Sequence, residues 1–372
     1  MAKAKRKTLP KDFEALLATG DQEALKAVFV GCDVDARGGV FKQTALAFVD
    51  CPDALSRWLV EQGADLAAGD AYGETPLHAR AGHWKGDVAL LIELGADVNH
   101  DAGGRGTPLH RAAAAGKLRA ARMLLDHGAR VDATNNQGQT PLGLALQRCS
   151  NATIERVAPM AELLLGAMAG PVETPKSWFG RLFGGRAAPT SPVTLEMQAQ
   201  VRRIGTDFEF HRPNFNPDSV DAASEALATL YRLFDVAPVP RRVVHDGTSP
   251  IRATSARWED RHQELWRLLV PSSGAAATVQ GEVIRISGRV SDEIDRNGGV
   301  NWDGDYRKMV VAFLGHVGSG RPLPGAELDA ARRVVSAIKG DGGDTALMCR
   351  LAVDWVALNP EPIVLAEPGY RR

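Results

Sequence analysis

The chain has 372 residues, 44 Lys+Arg against 45 Asp+Glu, 44% hydrophobic and 24% charged residues, the profile of an ordinary globular protein with room for two or three domains. A formal net charge of −1 excludes a protein that coats nucleic acid through bulk electrostatics. Cys32, Cys51, Cys149 and Cys349 are scattered without a CxxC pair, so they read as reduced packing residues, not as a disulfide framework or a zinc site.

Taken in chain order, residues 1–10 form a basic head, Met1 to Lys7 carrying four cations. It reads as a disordered, solvated terminus, since amphipathic sequence follows instead of the apolar run of a secretory signal. No stretch reaches the roughly 20 apolar residues that span a bilayer. The expected location is the cytoplasm. Asp12 to Val30 then reads as a helical hairpin.

Two markers recur in phase from there on. Thr75-Pro76-Leu77-His78 returns as Thr107-Pro108-Leu109-His110 and, altered, as Thr140-Pro141-Leu142-Gly143, with a degenerate copy at Thr44-Ala45-Leu46-Ala47. The intervals between these threonines are 31, 32 and 33 residues. Gly63, Gly95 and Gly128 each open a Gly-Ala-Asp or Gly-Ala-Arg step 12 residues before the next threonine, and Gly31 precedes Thr44 by 13. In each unit the threonine can cap a short helix whose first position is the proline, and the glycine can end a second helix in the left-handed conformation. A histidine after the leucine can reach the backbone of the neighbouring unit. Such hairpins bury their apolar sides only by stacking on one another.

These residues resemble the ankyrin-repeat family over residues 11–168. The resemblance implies an all-α solenoid of about five hairpins, with a degenerate Thr44 unit, a Thr75 unit one residue short between its helices, and an insertion around Gln147 to Met160. It also implies binding to another protein through the finger tips 70–74, 101–106 and 135–139 and through the exposed side of the first helices, which includes Lys85 and Lys117. By position the partner-binding candidates are Tyr72, Glu74, Arg80, Trp84, Arg105, Arg111 and Gln139, of which Tyr72, Trp84, Arg105 and Arg111 are types enriched at interface hot spots.

Residues 169–195 are rich in Gly, Pro, Ser and Ala and read as a flexible linker. Trp178, Phe179 and Phe183 stand there among basic residues, enough for weak surface contact but too little for stable membrane anchoring. Residues 196–372 read as a separate all-α globular domain, with helical patterns at 223–234, 256–270, 275–298, 303–317, 326–338 and 344–358. Gly281 and Gly288, seven apart on one face of the third pattern, leave room for close approach of another helix. Trp258 to Asp303 is similar to segments of bacterial proteins of uncharacterised function, a resemblance that carries no activity with it.

Two constellations in this half invite a chemical reading. Glu259 and His262 have Glu-x-x-His spacing, but a di-iron bundle needs a second copy and two further glutamates. Asp295, Asn297, Asn301, Asp303 and Asp305 surround a glycine-rich turn, yet no register puts Gly and Glu where a calcium loop requires them. Neither a metal nor an organic cofactor is expected. The sequence therefore points to a non-catalytic interaction protein of scaffold, adaptor or inhibitor type. The alternative is an enzyme or small-ligand receptor in the second half, which requires Glu259, His262, Glu282 and Asp303 to converge on one pocket.

Overall fold

The computed structural model describes residues 4–169, 192–338 and 343–371. The linker residues Trp178, Phe179 and Phe183 lie outside them. Two compact units are present, Met1–Phe208 with Pro217–Val239, and Glu209–Asn216 with Pro240–Arg372.

The first unit is the solenoid. It opens with strand β1 (Arg6–Thr8), helices α1 (Phe13–Thr19) and α2 (Gln22–Gly31), then β2 (Cys32–Gly38) and β3 (Gln43–Thr44), in a small sheet of order β1-β2-β3. Gly20 at φ 69° separates the two helices, and the Asp21 carboxylate caps α2 by accepting from the Glu23 and Ala24 amides. Within the basic head, Lys5 to Thr8 correct the expected disordered terminus. Arg6–Thr8 pair in parallel with β2, and Lys5 Nζ donates to the Phe29 carbonyl at 3.0 Å. The edge of β2 supplies hydrogen-bonding groups that composition alone does not reveal.

The repeats follow: α3 (Asp53–Glu61), α4 (Pro76–Gly82), α5 (Ala89–Glu93), α6 (Pro108–Ala114), α7 (Leu118–Asp126), α8 (Pro141–Arg148) and α9 (Ile154–Ala169). Each recurring residue acts as its chemistry requires. Thr75 and Thr107 close capping boxes with His78 and His110. The outer ring nitrogens of those histidines lie 3.1 Å from the Gly106 carbonyl and 3.0 Å from the Gln139 carbonyl, linking each unit to the next. Gly63, Gly95 and Gly128 take φ of 90°, 94° and 85°, conformations that favour glycine. Where Pro and His are missing, Ala45–Ala47 forms only a 3₁₀ turn.

After α9 the structure resumes with α10 (Leu195–His211), a helix not segmented from the sequence, and α11 (Pro217–Leu233). Met197, Val201, Ile204 and Phe208 of α10 are buried at helical spacing, and the Arg203 guanidinium donates to the Leu146, Gln147 and Cys149 carbonyls at the end of α8. α11 packs on α9. Residues 195–208 and 217–239 thus pack with the array, as a closing hairpin, instead of with the helices that follow.

The second unit contains α12 (Trp258–Leu269), α13 (Val279–Ser291) continued by a π turn at Asp292–Arg296, α14 (Gly304–Val317), α15 (Gly325–Ile338) and α16 (Thr345–Leu358). The nearly apolar α16 packs against α12, α13 and α15. The two glycines of α13 face α12: a Cβ on Gly281 would lie 3.2 Å from that of Leu269, and one on Gly288 would lie 2.8 Å from Cε3 of Trp266. Only a bare backbone permits this contact.

Candidate functional site

The finger tips are rigid because their own side chains tie the backbone. Asp70 Oδ1 accepts from the Tyr72 and Glu74 amides at 2.7 and 3.0 Å, and Asp101 accepts from the Gly104 and Gly106 amides. Beside these tips the array forms a groove of about 770 Å³, and its lining brings together Tyr72, Glu74, Trp84, Arg105 and Arg111. Tyr72 and Trp84 are 51% and 72% exposed, so their apolar rings are held in solvent within one concavity. The Arg105 guanidinium lies over the Tyr72 ring, 4.9 Å from its centroid, and Lys85 Nζ over Trp84 at 5.0 Å.

Glu74 is the electrostatic centre of one end. Burial pushes its pKa upward from the ordinary glutamate value, and the neighbouring Arg111, 3.3 Å away, opposes that shift together with Arg105 and Arg148. One half-buried carboxylate therefore sits among three guanidinium groups.

Two of the sequence candidates fall elsewhere. Arg80 is a correction: it is 3% exposed, donating from Nε to the Leu46 carbonyl at 3.0 Å and from Nη2 to Ser56 Oγ at 3.3 Å. Its turn follows from the degenerate unit before it, where Ala47 stands in place of the linking histidine and leaves arginine to make the inter-unit bond. Gln139 does not line the groove; its carbonyl accepts from His110 and Asn135, and its side-chain oxygen takes a hydrogen bond from Asn135 Nδ2.

The groove also contains residues that sequence reasoning passed over, chiefly Val40 and Phe41, which are 92% and 51% exposed, with Glu14 and Asp50. Phe41 and Tyr72 have ring centroids 6.2 Å apart. The repeat phase holds the missing signal: 31 residues before Asp70–Glu74 is the tip of the degenerate unit, positions 39–43.

In the second unit the proposed converging groups have separate engagements. Glu259 pairs with Arg257 at the surface, His262 bonds Ser287 Oγ at 2.9 Å inside, Glu282 is sealed against Arg285, and Asp303 caps α14 through the Asp305 and Tyr306 amides. Burial lowers the His262 pKa to about 4. The oxygen-rich turn is closed on itself, with Asn297 and Asn301 donating to the Glu293 carboxylate and Asp295 accepting from Ser291 and Thr345. No group of three or more metal-ligating side chains occurs among the described residues.

Comparison with known proteins agrees with this architecture. A family model described as ankyrin repeats (many copies) matches residues 109–165. Ankyrin repeat and SOCS box protein 16 of Mus musculus is 35% identical over 122 residues, 30% of this chain and 27% of the relative. The putative E3 ubiquitin-protein ligase XBAT35 of Arabidopsis thaliana is 34% identical over 157 residues, 38% and 34% of the two chains, and the ankyrin repeat protein nuc-2 of Neurospora crassa is 27% identical over 236 residues, 62% and 20%. The chain thus spans between a fifth and about a third of each of these relatives. Residues 109–165 thus match ankyrin repeats, a repeat type that serves protein–protein interaction.

Proposed function

We propose that this chain is a cytoplasmic scaffold, adaptor or inhibitor that captures one partner protein in the groove beside its first three fingers. The observation that carries this reading is the gathering of exposed apolar rings and cations in one rigid concavity: Phe41, Tyr72 and Trp84 with Arg105 and Arg111. A monomeric surface rarely keeps such rings together in water unless they are used. The second unit, as a separate all-α domain, carries no part of the groove and serves as the scaffold's second module.

The full chain and its Tyr72→Ala/Trp84→Ala variant, each used as bait with cross-linking and quantitative mass spectrometry, test the proposal. Both rings are exposed, so the variant keeps the fold. Loss of two hot-spot side chains should deplete the specific partner by at least about 30-fold. Equal recovery by the two baits would place the interaction elsewhere. No helix among the described residues is long and apolar enough to cross a membrane.

A further inference from the structure

The groove has a direction in its chemistry. Its acids and bases are mostly spent on one another: Asp50 on Lys85 at 3.7 Å, Glu74 on Arg111 at 3.3 Å, and Asp70 on two backbone amides. Two charges of the lining are left over. Among the described residues Arg105 stacks on Tyr72 and feels Glu74 only at long range, with no ion pair of its own, and Glu14 forms neither an ion pair nor a hydrogen bond. They stand at different places along the array, because units stack in chain order. The Glu14 carboxylate leans on the first finger, where a Cβ on Gly39 would meet its Oε1 at 3.1 Å. Arg105 belongs to the third finger, and the neighbouring rings of Phe41 and Tyr72 come from the first and second.

Resting on the groove reading, we propose that the ligand is an extended peptide segment whose carboxylate meets Arg105, whose large apolar side chains cover Tyr72 and Phe41, and whose cation meets Glu14. Ring faces already covered by Arg105 and Lys85 leave no aromatic cage for a basic side chain at that end. A guanidinium on an apolar ring is poorly hydrated, which strengthens its bond to an incoming carboxylate. Two steps between packed units at about 10 Å each, divided by about 3.3 Å per extended residue, give a segment of about six residues between the two charges.

A phage-displayed random dodecamer library selected on the full chain tests this directly, with affinities then read by fluorescence anisotropy of labelled peptides. The expected sequences carry an acidic and a basic residue about six apart, separated by large apolar residues. Arg105→Glu should weaken the best peptide by about tenfold or more, and replacing the peptide's acid by Lys should restore binding to that variant. Peptides that need Tyr72 but ignore both charges overturn the inference and leave the groove reading intact. Binders indifferent to Tyr72→Ala and Trp84→Ala overturn both, and a selection without binders overturns the inference of a linear ligand.

Discussion

The two units solve the same problem, how to bury polar groups, in opposite ways. In the array the buried His78, His110 and Arg80 each serve a neighbour one repeat away, His78 to Gly106, His110 to Gln139 and Arg80 to Leu46. In the helical unit one group of them gathers around Glu282 and Gln280 and ties together remote parts of the chain. Glu282 accepts from Arg285 Nε and Nη2, from the Ala276 amide and from the Tyr370 hydroxyl, while Gln280 donates to the Asn359 and Glu361 carbonyls. A repeated, shared link lets the array lose one joint and keep the others. A single centre concentrates the cost of any loss.

Arg285→Met strains that contrast most. It leaves Glu282, which is fully buried, without its cation, a change that costs about 3–5 kcal/mol. Hydrogen exchange should show the loss throughout residues 279–291, with the array's amides protected as before; equal deprotection of both units would refute the idea of a single centre. Acid distinguishes the units less. His78 and His262 have folded pKa values of about 4 through burial, below the unfolded value near 6.5. The unfolded chain therefore binds more protons between those values, and stability is complete above about pH 6.5 and falls as pH drops toward 4. Each histidine should remove about 2 kcal/mol at pH 5, measured by urea unfolding at pH 7 and pH 5, and a stability independent of pH over that range would contradict the burial of both rings.

Gly288→Ala forces a methyl into Trp266, an overpacking that should cost about 1–3 kcal/mol in the helical unit. The array's counterpart, Gly95→Ala at φ 94°, meets no atom within 4 Å and pays only the backbone term, about 1 kcal/mol. Thermal unfolding of both variants should rank them in that order. Glu93→Gln breaks the bidentate pair with the exposed Arg57 and should leave the midpoint unmoved.

Much of the array was legible because its signals are local. A capping threonine, a proline at the first helical position and a left-handed glycine act within four residues, and their period reports the stacking. The helices of the second unit were legible for the same reason, down to the glycine face of α13. The candidate site was only partly so. Tyr72, Glu74, Trp84, Arg105 and Arg111 share the groove, but Arg80 has the same residue type as Arg105 and a buried fate. Val40 and Phe41 were hidden by the degeneracy of their unit, although the phase pointed to them.

The sequence by itself determined the repeat, its caps and the helical character of the second half, since each rests on hydrogen bonds and apolar periodicity between near neighbours. Tertiary structure alone decided which cations face water, which fingers share a concavity, that α10 and α11 close the array, and that Tyr370 completes the shell of Glu282 across 88 residues. Exposure and convergence are properties of what packs against a side chain, and spacing along the chain does not specify that neighbour.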